Sequence, residues 1–179
     1  INARRKYYQS KNVATMRKRI LNGRVQCADR KDFSDAVTLY TIGDVLIPDK
    51  IALKADKPYR YWRYLSPEKS YGNIAELHFF DEEGAPISGT PISNIDNRDI
   101  INRAFDNDWL TNFDVDNANG NWVGMDMGKG VSVASVRIVP RSDDNDIHPG
   151  DTYELRYWNE DNTWTSCGMQ VADSNVLHY

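Results

Sequence analysis

The chain has 179 residues, a formal net charge of −4 and a hydrophobic fraction of 40%. These values are typical of a soluble globular chain of one domain, or of one domain and part of a second. No window approaches the roughly 18 consecutive apolar residues that a transmembrane helix needs, so we expect no membrane span.

The first predicted element is a helix within residues 3–21, where Val13, Met16 and Ile20 trace a loose apolar face. The later elements are strands, because apolar and polar residues alternate with a period of two. The predicted strands are Tyr59–Leu65, Ile74–Phe80, Trp122–Met127, Val131–Val139 and Thr152–Trp158. A second, short helix is predicted over Asn97–Phe105. The residues that we expect to be largely buried are Ala75, Leu77, Phe79, Val136, Ile138, Tyr153 and Leu155.

The first 28 residues form a basic arm, since they contain eight Lys and Arg residues and no acid. Such an arm could contact nucleic acid. No RNA- or DNA-binding motif accompanies it, so we expect no nucleic-acid partner. The sequence begins at Ile1 rather than Met and has no apolar run typical of a signal peptide. We therefore expect it to be a fragment of a longer precursor with further attached domains.

Recognised catalytic patterns are missing from the sequence. The three histidines form no metalloprotease pattern, and no nucleophile elbow or phosphate-binding glycine loop is present. The acids of residues 143–146 share one loop, whereas a catalytic pair normally faces across a cleft from separate elements. Cys27 and Cys167 show no metal-ligand spacing, so we expect two buried free thiols. The sequence therefore predicts a protein that is not an enzyme.

An oxygen-rich turn follows the predicted short helix. It supplies the carboxylates of Asp106 and Asp108 and the hydroxyl of Thr111, with backbone carbonyls between them. Hard cations such as Ca²⁺ prefer oxygen ligands of this kind. We predict a structural Ca²⁺ held by these groups and by backbone carbonyls near Arg103 or Asp108. The alternative is an Asx-turn whose side chains bond only the local backbone.

Four runs of residues resemble a known family. The runs Phe105–Phe113, Trp122–Gly128 and Val136–Ile138 resemble discoidin-like modules, also called coagulation-factor type C domains. The run Pro140–Glu154 is similar to a Pro-Arg-x-Asp…Asn…Tyr-Glu stretch of the family 32 carbohydrate-binding modules. The resemblance implies a mainly β fold, a galactose-binding-like antiparallel β-sandwich (jelly roll). It also implies that Glu76 completes the calcium shell.

The order of the resembling segments is unusual. Residues 59–65 and 73–77 are similar to the end of such a module, whereas residues 105–154 are similar to its beginning. Either the chain spans the back of one module and the front of the next, or one module is rearranged. Half a sandwich would expose an open sheet edge and an apolar face. We therefore expect residues 50–179 to form one discoidin-like sandwich, with residues 1–49 as an accessory segment or the tail of a preceding module.

The resemblance implies a non-catalytic carbohydrate-binding module of a secreted, periplasmic or cell-surface bacterial protein, beside domains such as a glycoside hydrolase. The alternative is a protein- or surface-adhesion module of the same fold with no sugar site, because one fold hosts both functions. Binding of any defined glycan would separate the two.

A sugar site needs a planar ring beside fixed polar groups. We predict a shallow site at one end of the sandwich, built from the polar side chains of Arg141, Asp143 and Asn145 and from the ring of Trp109 or Trp164. The alternative is a salt-bridged loop with no ligand. Two other tryptophans, Trp122 and Trp158, lie on predicted strands, and we expect both in the core.

Overall fold

The computed structural model describes residues 1–3, 11–43, 50–118, 120–141, 146–161 and 163–179, with only the backbone at 2 and 11–14. The chain is mainly β, as predicted, and its sheets are antiparallel. It divides into two compact units. We call residues 11–142 the large unit, and residues 1–10 with 143–179 the small unit.

The described residues contain two helices and thirteen strands. The helices are α1 (Lys11–Lys18) and α2 (Arg98–Asn102). The strands are β1 (Asn2–Ala3), β2 (Arg24–Ala28), β3 (Val37–Thr41), β4 (Lys50–Ala52), β5 (Tyr59–Leu65), β6 (Ile74–Phe80), β7 (Pro86–Ile87), β8 (Thr90–Ser93), β9 (Trp122–Val131), β10 (Ser135–Pro140), β11 (Thr152–Trp158), β12 (Trp164–Val171) and β13 (Leu177–His178).

The large unit is a β-sandwich of two antiparallel sheets. One sheet has the strand order β3-β2-β5-β9-β8, and the other has the order β4-β10-β6-β7. Apolar residues from both sheets form a shared core, in which the rings of Trp62 and Phe79 lie with centroids 6.2 Å apart. Alternation along each strand explains this arrangement, since every second side chain of a strand faces the opposite sheet.

The small unit has two pairs of strands in its described residues. Strands β11 and β12 form an antiparallel hairpin, and β1 pairs with β13. A small apolar cluster is formed by Ile147, Ala172 and Leu177. Among the described residues, no helix is long and apolar enough to span a membrane.

Several strand predictions are confirmed residue for residue. Strands β5, β6 and β11 have the predicted bounds. The predicted bounds Val131–Val139 are wrong, because Val131 ends β9 and β10 begins only at Ser135, after three residues that belong to no strand. Helix α1 lies within the predicted range, of which residues 4–10 are outside the described residues, and α2 is shorter than predicted.

The predicted core is confirmed in the large unit, where Ala75, Leu77, Phe79, Val136 and Ile138 are buried. The predicted core is less complete in the small unit. Tyr153 and Leu155 are only partly buried. Trp158 was expected in the core but is 52% exposed, and Cys167, expected to be buried, is exposed as well. Both lie on the β11–β12 hairpin, most of whose side chains are exposed, because a two-stranded hairpin has little apolar surface of its own to bury them against.

The two units of the structure do not follow the predicted boundary between residues 49 and 50. Residues 24–41 were expected to be an accessory segment, yet they form β2 and β3, and β2 pairs directly with β5. Residues 152–171 were expected in the main sandwich, whereas they form the hairpin of the small unit. Buried side chains on β2, such as Val25 and Cys27, explain the first difference because they belong to the shared core.

Candidate functional site

A buried carboxylate lies beside the predicted calcium turn. Glu76 is on β6, an inner strand of the four-stranded sheet, and its side chain is fully buried. Neither of its carboxylate oxygens has a hydrogen-bond partner among the described residues. His78 Nε2 lies 3.3 Å from Oε2 without the geometry of a hydrogen bond. A buried charge is costly unless it is compensated, so this carboxylate favours a proton of its own, a protonated His78 or a bound cation.

The local sequence folds the oxygen-rich turn against this strand. Helix α2 is capped by Asn97, whose side chain accepts hydrogen bonds from two backbone N–H groups. Just after the helix ends, the carbonyl of Ala104 accepts a hydrogen bond from Leu77 N at 2.8 Å. This bond fixes the start of the turn beside β6, next to Glu76 in the sequence.

Within the turn, the predicted ligands bond one another. Asp106 Oδ2 accepts a hydrogen bond from Thr111 Oγ1 at 2.7 Å, and the Asp108 carbonyl accepts from the same hydroxyl at 3.0 Å. The Asp108 carboxylate instead accepts from Leu110 N. This is the geometry of an Asx-turn, with Asn107 in the left-handed region at φ 61°. The Thr111 hydroxyl, the Asp106 carboxylate and the Asp108 carbonyl nonetheless lie close together.

The carboxyl groups of Glu76 and Asp106 act on each other. Burial raises the pKa of Glu76, and the neighbouring Asp106 raises it further, whereas His78 opposes the shift. A buried carboxyl group beside a second, exposed one favours a shared proton or a cation between them. The structure therefore brings together three of the four predicted metal-ligating residues as side-chain groups, and Asp108 by its carbonyl.

No cluster of three or more His, Cys, Asp or Glu side chains arranged to hold a metal occurs in the part of the chain that the structure describes. A cation at this place would rest on two carboxylates, the Thr111 hydroxyl and backbone carbonyls. That mixture of oxygen ligands fits Ca²⁺ rather than a transition metal.

The predicted sugar-site residues belong to both units. Arg141 belongs to the large unit, where its guanidinium forms an ion pair with Asp114. Trp109 also belongs to the large unit and is partly exposed, whereas Trp164 lies on β12 of the small unit. Asp143 and Asn145 fall outside the described residues, so their part of the prediction is untested.

A cavity of about 630 Å³ lies within the small unit. Three aromatic residues, Tyr153, Trp164 and Tyr179, contribute to its wall, together with Glu154 and Arg156. Arg156 Nε donates a hydrogen bond to Glu154 Oε2 at 2.8 Å. This contact, with a further one from Ser166, holds the pKa of Glu154 below its usual value, so the carboxylate is ionised at neutral pH.

Of the cavity's functional groups, only Trp164 was predicted from the sequence. Tyr153 was expected in the core, and Glu154 and Arg156 were not among the predicted site residues. Their spacing is a usable signal, because residues two apart on one strand share a face and can form an ion pair. Trp164 itself is 60% exposed and is held edge-on by Trp158, with ring centroids 5.0 Å apart.

The resemblance to discoidin-like modules rests on the motifs of this chain alone. Its motif residues lie in both units, with Phe105–Phe113 in the large unit and Tyr153–Glu154 in the small unit. Comparison of the chain with protein-family models, with curated proteins and with solved structures gave no significant match.

Proposed function

We propose that the chain is a non-catalytic carbohydrate-binding module whose sugar site is the cavity of the small unit. The observation that carries this proposal is the exposed ring of Trp164 in the wall of a cavity that also holds the Glu154–Arg156 ion pair. A flat aromatic ring can stack on the C–H face of a sugar, and charged groups at its side can bond the hydroxyls.

The polar part of the cavity supplies both kinds of hydrogen-bonding group. Glu154 offers carboxylate oxygens that accept, and Arg156 offers N–H groups that donate. Because the two side chains bond each other, each is held in position before a ligand arrives. Preorganised groups of this kind lose little entropy on binding, which favours recognition of a weakly binding ligand such as a sugar.

We further propose that Ca²⁺ binds at Glu76, Asp106 and Thr111 as a structural ion. The buried carboxylate of Glu76, which has no hydrogen-bond partner among the described residues, supports this part of the proposal. The ion would join β6 to the turn that follows α2 and would remove the cost of the buried charge. It takes no part in sugar binding.

The cellular setting is proposed from the resemblance alone. A module of this kind would belong to a secreted, periplasmic or cell-surface bacterial protein and would be attached to further domains, such as a glycoside hydrolase. Its binding would hold those domains near their polymeric substrate, which increases the effective concentration of that substrate.

A glycan array tests the sugar site directly. We expect the purified chain to bind at least one neutral glycan, and Trp164→Ala to abolish that binding with an unchanged melting temperature. Tyr157→Ala is the matched control, because Tyr157 is an exposed aromatic residue of the same hairpin that does not line the cavity. Equal binding by Trp164→Ala and the unmodified chain would exclude the cavity as the site.

The second candidate is an adhesion module, which one observation favours. Beyond Trp164, the small unit exposes large apolar side chains at Tyr157, Trp158, Met169 and Val171. Exposed apolar residues that cluster on one hairpin are typical of a protein-binding surface. A glycan array without any binding would favour this function over carbohydrate binding.

A further inference from the structure

A half-buried arginine lies on the five-stranded sheet, on the face opposite the shared core. On β5, Trp62 and Tyr64 face the core, so Arg63 between them faces the other way. It pairs across the sheet with Gln26 on one side and Gly124 on the other. Glycine is required at this position, because a Cβ there would lie 2.8 Å from the Cβ of Arg63.

The side chain of Arg63 is fixed by three neighbours. Its Nε and Nη2 groups donate to Gln26 Oε1 at 2.9 and 2.7 Å. Its guanidinium carbon lies 4.0 Å from the ring centroid of Phe33 and 5.2 Å from that of Trp122. These contacts use one edge of the guanidinium and its faces. The edge formed by Nη1 and Nη2 makes no hydrogen bond to any other described residue.

None of the acidic residues that the structure describes forms an ion pair with Arg63. A second cation, Arg24, lies on the same face of the neighbouring strand β2 and is exposed, again without an ion pair to the described residues. Burial, and then repulsion from Arg24, lowers the pKa of Arg63 to about 10. Two cations thus lie side by side on a chain whose net charge is −4.

We propose that Arg63 and Arg24 form an anion site for the carboxylate of an acidic sugar, with the sugar ring against Trp122. The unused edge of a guanidinium matches the two oxygens of a carboxylate, and Arg63 is already held in one orientation. Trp122 is partly exposed beside it and offers an aromatic surface. The choice of a sugar as the carrier of the carboxylate rests on the proposed function, whereas the anion site itself does not.

This site is distinct from the cavity of the small unit. Every residue that forms it belongs to residues 24–122 of the large unit, and the cavity is lined only by residues of the small unit. The two sites therefore share no residue, and each can be substituted separately.

Isothermal titration calorimetry with three probes tests the ligand class. A galacturonic acid trisaccharide should bind the purified chain. Binding should weaken as NaCl is raised from about 20 to about 300 mM, because this shortens the Debye length from about 20 to about 6 Å and screens exposed charges. Its uncharged methyl ester, and acetate alone, should each bind at least about tenfold more weakly, since each lacks one part of the recognised group. Equal binding of the ester would exclude the anion site, and equal binding of acetate would exclude the sugar.

Variants locate the binding. Arg24→Gln removes an exposed charge without an ion pair, so it should fold normally and weaken trisaccharide binding severalfold. Arg63→Lys keeps the charge but loses the planar fork, and should weaken binding at least about tenfold. Lys129→Gln, an exposed cation at the far end of β9, is the charge-matched control and should bind normally. Normal binding by Arg24→Gln and Arg63→Lys, or no binding of the trisaccharide by the unmodified chain, would overturn the proposal.

One further variant separates this inference from the proposed function. Trp164→Ala should leave trisaccharide binding intact even though it removes the cavity ring. If no neutral glycan binds the chain but the trisaccharide does, the proposed function at the cavity fails while the anion site stands. Loss of trisaccharide binding in Trp164→Ala would instead place the acidic sugar in the cavity.

Discussion

Arg141 forms an ion pair with Asp114, a residue 27 positions earlier in the chain. Two backbone hydrogen bonds bring them together, because Phe113 N donates to Ile74 O and Arg141 N donates to Asn73 O. Both chain segments thus attach to the beginning of β6. The two side chains are 25% and 28% exposed, so the pair is partly shielded from water. The guanidinium that the sequence assigned to a sugar is engaged by protein.

This pair leads to a stability prediction for Arg141→Ala. Loss of a partly buried ion pair should lower the free energy of unfolding by about 1 kcal/mol. Asp114→Ala should have a similar effect, and the double variant should lose less than the sum of the two, because each single change already breaks the pair. Urea denaturation of the four proteins measures this coupling. A loss of glycan binding in Arg141→Ala at unchanged stability would return this arginine to the sugar site.

Calcium should stabilise the chain through Glu76. We expect millimolar Ca²⁺ to raise the melting temperature of chelator-treated protein, since an ion that binds only the folded state contributes about 2.7 kcal/mol at one hundred times its Kd. Glu76→Gln should remove most of that increase, whereas Glu68→Gln, at an exposed glutamate, should retain it. A melting curve of the unmodified chain that Ca²⁺ does not alter would contradict the structural ion.

Substitution of Gly124 should be strongly destabilising. A Cβ atom at this position would lie 2.0 Å from the backbone oxygen of Trp62, on the paired strand, and backbone atoms have little freedom to move. We expect Gly124→Ala to lower the free energy of unfolding by at least about 2 kcal/mol. Gly43→Ala is the control, because a Cβ there would meet nothing within 4 Å. Similar melting temperatures of the two variants would show that β5 and β9 are not paired as described.

The two thiols should differ in reactivity. Cys27 is fully buried, and burial with the nearby Asp56 raises its pKa to about 12, so it forms almost no thiolate at pH 9. Cys167 is exposed on β12. Iodoacetamide at pH 9 should therefore modify one thiol in the native protein and two in guanidinium chloride, as counted by mass spectrometry. Modification of Cys27 in the native protein would show that β2 opens readily.

The sequence predicted strands well where apolar and polar residues alternate. In β6, alternation separates Leu77 and Phe79 from His78, so both the bounds and the buried face could be identified. The same alternation in β11 gave the right bounds but overestimated burial, because periodicity shows which face is apolar and not whether another sheet covers it. Trp158 is exposed for this reason.

The pairing of strands that are distant in the chain could not be predicted from the sequence pattern. Nothing in the run 24–41 indicates that β2 lies between β3 and β5, which is a property of sheet order. The calcium turn was accessible because its oxygen groups are close in sequence, whereas the contact of Asp114 with Arg141 depends on two separate segments that meet at β6. Glu76 was found only through the resemblance, since an acid on a strand is normally a solvent-facing residue.

The strand order of the large sandwich has a consequence for how fast it folds. Strand β5 pairs with β9, and β4 pairs with β10, so each sheet joins segments that are far apart in the chain. Such contacts require closure of long loops before any pairing energy is gained, and domains dominated by them fold in milliseconds to seconds rather than microseconds. Until β9 and β10 emerge from the ribosome, β5 and β6 each lack one of their two neighbouring strands. The apolar residues of those strands would then be exposed to aggregation during synthesis.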